Sequence, residues 1–257
     1  MATAVPVYPD LSGKVAVVTG GSRGIGAATV GALARNGVAV AAVARDREAL
    51  AGVVAAVGEG GGRAAGVVAD CTDEHQLARA VGQIHDQLGV VDILAAFAGG
   101  DGMPVPTGSE TAGHWRHVVD NELTSCFLTV SAFLPDLTAS PTAAVITMSS
   151  AAGRQAAGSS AAYAAAKAGV VALSRHLASE LAPYKIRVNC IAPSAIENDK
   201  MRTWVSAEQR AALATEFPLG RLGQPDDVAN AAAFLASQAS SWITGITLDV
   251  AGGKIML

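Results

Sequence analysis

"KVAVVTGGSRGIGAATVGALARNG" (residues 14–37) is the stretch on which the fold turns. Its first part, residues 14–20, is a short apolar run rich in valine that ends in Thr-Gly, the pattern of a buried strand. From about Ile25 to Asn36 the residues suit a helix, which Gly37 closes. Between them Gly20, Gly24 and Gly26 are spaced G-x-x-x-G-x-G. Gly20 can make the tight turn out of the strand. Gly24 and Gly26 let backbone approach a diphosphate at a helix N-terminus, where unpaired N–H groups favour negative charge. The spacing differs from G-x-G-x-x-G, but the physical job is the same.

Working outward, apolar runs alternate with helical patterns to the end of the chain. Further strands are expected at 38–43, 64–70, 90–99, 143–150, 186–193 and 245–250. Helices are expected at about 46–57, 73–88, 113–138, 160–182 and 225–237. The stretch 194–223 reads as polar and irregular with short helices. Repeated strand–helix–strand units imply a parallel sheet covered on both faces, and right-handed crossovers make it doubly wound. No linker or composition break divides the chain, so residues 1–257 read as one α/β domain with a seven-stranded sheet.

Hydrophobic residues make up 51% of the chain and charged residues only 16%, and the mean hydropathy is +0.36. The excess lies in Ala, Val and Gly, which suits buried parallel strands and contact between subunits. A net charge of −4 with no basic stripe argues against nucleic acid as a partner. No apolar run is long enough to span a membrane, and the N-terminus lacks a secretion signal, so a cytoplasmic protein is expected. Cys71, Cys126 and Cys190 are far apart and odd in number, which fits small buried residues in a reducing compartment.

The end of the second strand should meet an adenosine ribose. An acid there would bind a 2′-hydroxyl and repel a 2′-phosphate. The expected place for that acid holds Ala44, followed by Arg45, with Arg23 nearby in the glycine loop. Two guanidiniums and no carboxylate favour NADP(H) over NAD(H). A register shifted by one residue would restore an acid, Asp46. Asp70, closing strand three, is a candidate for the adenine amino group or for a helix N-cap, where Asp73 competes with it. Farther on, "AYAAAKAG" (162–169) sets Tyr163 and Lys167 one helical turn apart on a flat alanine wall.

Together "TGGSRGIG" (19–26), "SSAAG" (149–153), "YAAAK" (163–167) and "RVNCIAP" (187–193) resemble the short-chain dehydrogenase/reductase family, and within it the 3-oxoacyl-acyl-carrier-protein reductase type. The likeness continues through 218–237 and 241–253. It implies a Rossmann-type domain and a catalytic set of Ser150, Tyr163 and Lys167 supported by Asn121. Ser150 is chosen over Ser149 because the family serine lies 13 residues before the tyrosine. Tyr163 is the implied acid/base, and Lys167 is implied to bind the nicotinamide ribose and lower the tyrosine pKa. The implied cofactor groove comprises Thr19, Gly20, Ser22, Arg23, Gly24, Ile25 and Gly26, then Arg45, Asp70, Cys71, Ala98 and Gly99. Tyr163, Lys167, Pro193, Ile196 and Asn198 complete it. No metal is implied.

Three departures stand out. The family's Asn-Asn-Ala-Gly after strand four is here Ala96-Phe97-Ala98-Gly99, which removes side chains that would tie the strand to its neighbours. Its Pro-Gly after strand six is Pro193-Ser194, and a cofactor-contacting threonine is Asn198. Basic residues that dock an acidic carrier protein correspond to Pro141 and Tyr184, leaving only Lys185 and Arg187 close. That favours a free small carbonyl, or a different thioester, over an acyl carrier protein.

The expectation is therefore an NADPH-dependent ketoreductase acting on a 3-oxoacyl thioester-like compound or small ketone. The alternatives are an NAD(P)-dependent dehydrogenase oxidising a sugar, steroid or other secondary alcohol, and a non-catalytic NADP-binding sensor. Residues 194–216, with Met201, Trp204, Val205 and the adjoining Phe217, are a candidate substrate lid or, alternatively, a fixed helical pair. His114 and His117 read as a polar helix face or substrate wall, and His176 as structural or interfacial. A homotetramer, or a dimer, is the family expectation.

Overall fold

The computed structural model describes residues 6–256. Its strands are β1 Val15–Thr19, β2 Ala39–Ala44, β3 Arg63–Val68, β4 Ile93–Ala96, β5 Ala144–Met148, β6 Arg187–Pro193 and β7 Thr247–Val250. They form one seven-stranded sheet in the order β3-β2-β1-β4-β5-β6-β7, and each neighbouring pair is parallel. This is the doubly wound sheet the sequence implies. The helices are α1 Gly24–Arg35, α2 Arg47–Glu59, α3 Glu74–Gln87, α4 Ala112–Val119, α5 Ser125–Ala139 and α6 Ala161–Glu180. After β6 come α7 Asp199–Trp204, α8 Ala207–Ala214 and α9 Pro225–Ala236. The single helix expected over 113–138 is instead α4 and α5 joined by a π-helical turn, Asp120–Thr124.

A strand buried on both faces must be apolar along its whole length, and all five residues of β1 are buried. Alternate side chains feed opposite layers. Ala16 and Val18 pack in the layer that holds Leu33 of α1 and Leu235 of α9. Val17 packs in the other, with Leu77 of α3 and Phe133 of α5. Strand order reverses between β1 and β4, so the chain leaves these neighbours in opposite directions. That opens a crevice at the carboxyl ends of the strands, where ligands bind in such sheets. Short polar side chains fix the helix starts that border it. Asp46 caps α2 by accepting from the Ala49 N–H, and Ser160 caps α6 by accepting from the Tyr163 N–H. Asp73, and not Asp70, caps α3.

On β6, next to the edge strand β7, Arg187 is 9% exposed. Its guanidinium donates to the carbonyls of Leu235, Ala236 and Ser237 and to the Ser240 hydroxyl. These carbonyls close α9, so the cation meets the negative end of a helix dipole. Burial draws its pKa below the ordinary arginine value, opposed by the charge of Asp10. Arg187 is thus a structural clamp and is not free to dock a carrier. Pro141, Tyr184 and Lys185 precede β5 and β6, at the end of the sheet opposite the crevice. Within one protomer, these positions do not flank the crevice. Arg187→Leu should destabilise the fold by about 2–3 kcal/mol, because it strands several acceptors at once. The fall in denaturant midpoint measures this, and Arg187→Lys should recover only part of it.

Candidate active site

The glycine loop is shaped by contacts that leave no room for a side chain. Gly20 has φ +67, in the left-handed region. A Cβ on Gly26 would overlap the Gly20 carbonyl oxygen, so only glycine lets the first turn of α1 cross the end of β1 so closely. Arg23 stands at the N-cap of α1 without a capping side chain. The unsatisfied N–H groups of that turn border a cavity lined by Gly20, Arg23, Gly24, Ile25 and Gly26. This cradle, a helix start over glycine backbone, fits the diphosphate of a dinucleotide.

Beyond it, a cavity of about 410 Å³ reaches the end of β2 and is lined by Ser22, Arg23, Arg45, Asp46, Asp70 and Cys71, among others. Ala44 does end β2, as the sequence implies. The expectation of two guanidiniums without carboxylates is nevertheless corrected. Arg23 is ion-paired to Asp46, and Arg45 lies 3.7 Å from Asp70. The Ala49 N–H, then Arg23, holds the Asp46 carboxyl below its ordinary pKa against slight burial. Burial opposes a low value at Asp70, but the N–H and hydroxyl of Thr72 outweigh it, with Arg45 adding to them.

The other end of the crevice is a cavity of about 470 Å³ that shares Gly20, Arg23, Gly99 and Gly100 with the first. Ser150, Tyr163 and Lys167 line it together, beside Phe97, Met148, Pro193, Ile196, Asn198 and Met201. The two adjacent serines have separate duties. Ser149 is buried and donates its hydroxyl to the Lys167 carbonyl at 2.7 Å. Half-buried Ser150 follows β5, and its Oγ accepts from the Ala152 N–H at 3.2 Å. A Cβ on Gly153 would lie 2.6 Å from the Lys167 carbonyl carbon, so this turn rests on the α6 backbone. That contact sets Ser150 beside the Tyr163 face of the helix.

Lys167 is 3% exposed. Its Nζ donates to the Met148 carbonyl at 3.0 Å and lies 5.6 Å from the centre of the Tyr163 ring. It also lies 2.7 Å from Glu122 Oε2. Burial alone would depress the ammonium's pKa. The carboxylate of Glu122 and then Tyr163 outweigh that and hold it above the ordinary lysine value.

Two expected site residues make other contacts than expected. Asn121 lines the 410 Å³ cavity but does not reach Lys167; its amide contacts His117 Nε2 at 2.9 Å, and the neighbouring Glu122 takes the place beside the lysine. The π-helical turn carries both residues. Glu122 was legible in principle: Val118, Glu122 and Cys126, each four residues apart, share the buried stripe of the helix. Thr19 is fully buried and uses its hydroxyl to accept the N–H groups of Phe97 and Ala98, so it braces the loop and does not line the crevice.

Of the remaining positions, Ala98 and Gly99 border the crevice between the two cavities. Asn198 caps α7 with its side-chain oxygen and donates to the Ile196 carbonyl. Met201 brings α7 against the cavity; the Trp204 side chain lies outside the described residues. His114 pairs with Glu110, His117 lies 3.6 Å from Asp101, and His176 pairs with Glu180 on the surface of α6.

A dinucleotide crevice that ends on a serine, a tyrosine and a lysine is the equipment of a hydride-transfer enzyme, and known proteins agree. The sequence model of a family described as enoyl-(acyl carrier protein) reductase matches residues 20–254. The 3-oxoacyl-[acyl-carrier-protein] reductase FabG of Escherichia coli is 36% identical over 96% of this chain and 100% of its own length. The cis-4-hydroxycyclohexanecarboxylate dehydrogenase of Sinomonas cyclohexanicum is 38% identical over 93% of this chain and 96% of its own. An NADPH-bound short chain oxidoreductase from Pseudomonas aeruginosa PAO1, described as containing an atypical catalytic center, superposes with a TM-score of 0.91. It is 38% identical and covers 96% of this chain and 99% of its own. The chain belongs to the short-chain dehydrogenase/reductase family, NAD(P)-dependent oxidoreductases acting on CH–OH or C=O groups.

The three thiols near this crevice are buried and free. Burial pushes Cys71 up to about 11 and Cys126 up to about 12, and it raises Cys190 as well. Since the thiolate is the reactive form, a disulfide reagent at pH 8 should label none of the three rapidly in the native protein. All three should react once guanidinium unfolds it.

Proposed function

We propose that the protein is an NADPH-dependent ketoreductase that reduces a small, uncharged carbonyl compound to a secondary alcohol, with Tyr163 as the acid. The observation that carries this reading is the convergence of Ser150, Tyr163 and Lys167 on one cavity continuous with the glycine loop. A bound nicotinamide supplies the hydride. The chain's own residues manage the charge that this transfer creates. The Ser150 hydroxyl donates to the carbonyl oxygen as negative charge develops there. Tyr163 delivers the proton, and the Lys167 ammonium stabilises the phenolate left behind, since a phenol of pKa ~10 needs such help near neutrality.

Phe97, Met148, Ile196 and Met201 give the cavity apolar walls, and its charged lining residues Arg23, Lys167 and Glu197 are each paired with a group of opposite sign. That lining supports a neutral ketone or short 3-oxoacyl thioester over a carboxylate-bearing compound. Residues 194–216 would close over it as a lid. Phe127, Trp242, Ile246 and Met256 leave apolar surface exposed, which suits subunit contacts in a homotetramer. No helix among the described residues is long and apolar enough to cross a membrane, in keeping with a cytoplasmic enzyme.

A second reading has one observation in its favour. Asp46, paired to Arg23 at the end of the crevice, would suit a free ribose, and so an NAD-linked alcohol oxidation. Fluorescence titration separates the two. Tighter binding of NADPH than NADH, with NADPH affinity falling about tenfold in Arg45→Ala and NADH affinity unchanged, supports the first. Equal affinities support the second. Tyr163→Phe should lower kcat about 1,000-fold while leaving cofactor binding almost intact, measured by NADPH oxidation on a panel of ketones and thioesters. Appreciable residual turnover would remove Tyr163 from its role.

A further inference from the structure

Glu122 is 1% exposed and directly follows Asn121, the residue to which the family resemblance gave a supporting role. Its Oε1 accepts the N–H groups of Gly100 at 2.6 Å and Asp101 at 2.7 Å. Its Oε2 is buried, makes no aligned hydrogen bond, and lies 2.7 Å from the Lys167 ammonium. The loop curls around this carboxylate. Gly99 and Gly100 have φ +140 and +114, and a Cβ on Gly99 would overlap Oε2. Two residues farther on, a Cβ on Gly102 would lie 3.1 Å from Tyr163 Cζ, so the same loop rests on the tyrosine ring. One side chain therefore touches the lysine and organises the backbone that covers the tyrosine.

We propose that Glu122 is a positioning residue of the catalytic centre: its carboxylate fixes Lys167 and the 99–102 loop, and partly offsets the ammonium's pull on Tyr163. The inference rests on Tyr163 being the acid of the proposed reaction. Coulomb's law supplies the sign. A cation beside a phenol favours phenolate, and an anion beside that cation opposes it. Other ionisable groups around the pair are neutral, paired or farther from the ammonium. Cys126 of α5 and Cys190 of β6 are thiols held protonated by burial. Asp101 of the loop lies 3.6 Å from His117 of α4, and Glu110 pairs with His114. Glu197 lines the cavity and pairs with Arg202.

The test compares wild type with Glu122→Gln, which keeps the shape and removes the charge. There are three tyrosines, so the tyrosinate absorbance titration of each protein minus that of its Tyr163→Phe counterpart reads Tyr163 alone. In Glu122→Gln, the Tyr163 titration should move toward acid by about one pH unit. The alkaline limb of kcat for carbonyl reduction should move with it, while turnover at its new optimum persists. Glu122→Asp, which keeps the charge, should stay near the wild-type titration and provides the comparison if Glu122→Gln is too unstable to measure. In that case Glu122→Asp must still lie above Glu122→Asn.

A Tyr163 titration that is the same with and without the charge overturns the inference whatever the activity does. If the titration moves but the kcat limb does not, the offset stands and the assignment of Tyr163 as the acid fails.

Discussion

A lysine ammonium held almost wholly out of water has to be met by acceptors and by opposite charge, because its desolvation would otherwise discharge it. Lys167 finds both within one helical turn of Tyr163. The Met148 carbonyl, at the last residue of β5, accepts from Nζ. Glu122 supplies the charge from the π-helical turn between α4 and α5. The same ammonium thereby ties the sheet, α6 and the α4–α5 connection together at the crevice. A surface lysine would have been free to swing. This one has its position imposed, and Tyr163, a turn away on a regular helix, inherits that precision.

Close backbone approach does the rest of the positioning. Gly26 lets α1 cross the end of β1, and Gly153 lets the turn after β5 lie against α6. The first contact opens a helix start toward a phosphate-sized cradle, and the second aligns Ser150 with Tyr163. Neither depends on a side chain. The glycines therefore fix the distance between the cofactor end and the reacting end of the crevice, while the side chains between them, Phe97, Ile196 and Met201, are left to shape the cavity wall. The parallel sheet makes this possible by placing these turns at the same ends of adjacent strands.

Much of this was legible because it follows from local pattern. Apolar runs of strand length, separated by helical periods, gave every strand and the doubly wound class. The glycine spacing marked the phosphate loop, while Ser150 was chosen over Ser149 only through the family resemblance. Glu122 escaped although the buried stripe of Val118, Glu122 and Cys126 carries it. The rest was decided by geometry that a sequence does not carry. Ion pairing across the crevice gives Arg23 and Arg45 carboxylate neighbours from β-strand ends and caps that are distant in sequence. Arg187 reads as a free surface base until α9 is seen to end on it.

The altered Ala96-Phe97 pair then has a physical account. Two asparagines there would have supplied polar groups to hold the end of β4. In this chain, two acceptors from neighbouring elements hold the backbone instead. Thr19 of β1 takes the N–H groups of Phe97 and Ala98, and Glu122 takes those of Gly100 and Asp101. Ala96 is freed to pack against Cys126, Val170 and Cys190, and Phe97 joins the core layer that holds Val18 and Ile196. A carboxylate accepts two N–H groups and an ammonium more fully than an amide can, since an amide offers a single oxygen as acceptor. A hydroxyl and a carboxylate from facing elements, and no side chain of the strand itself, thus hold the backbone after β4. Together they keep the loop ordered against Tyr163 while changing the electric field in which that tyrosine works.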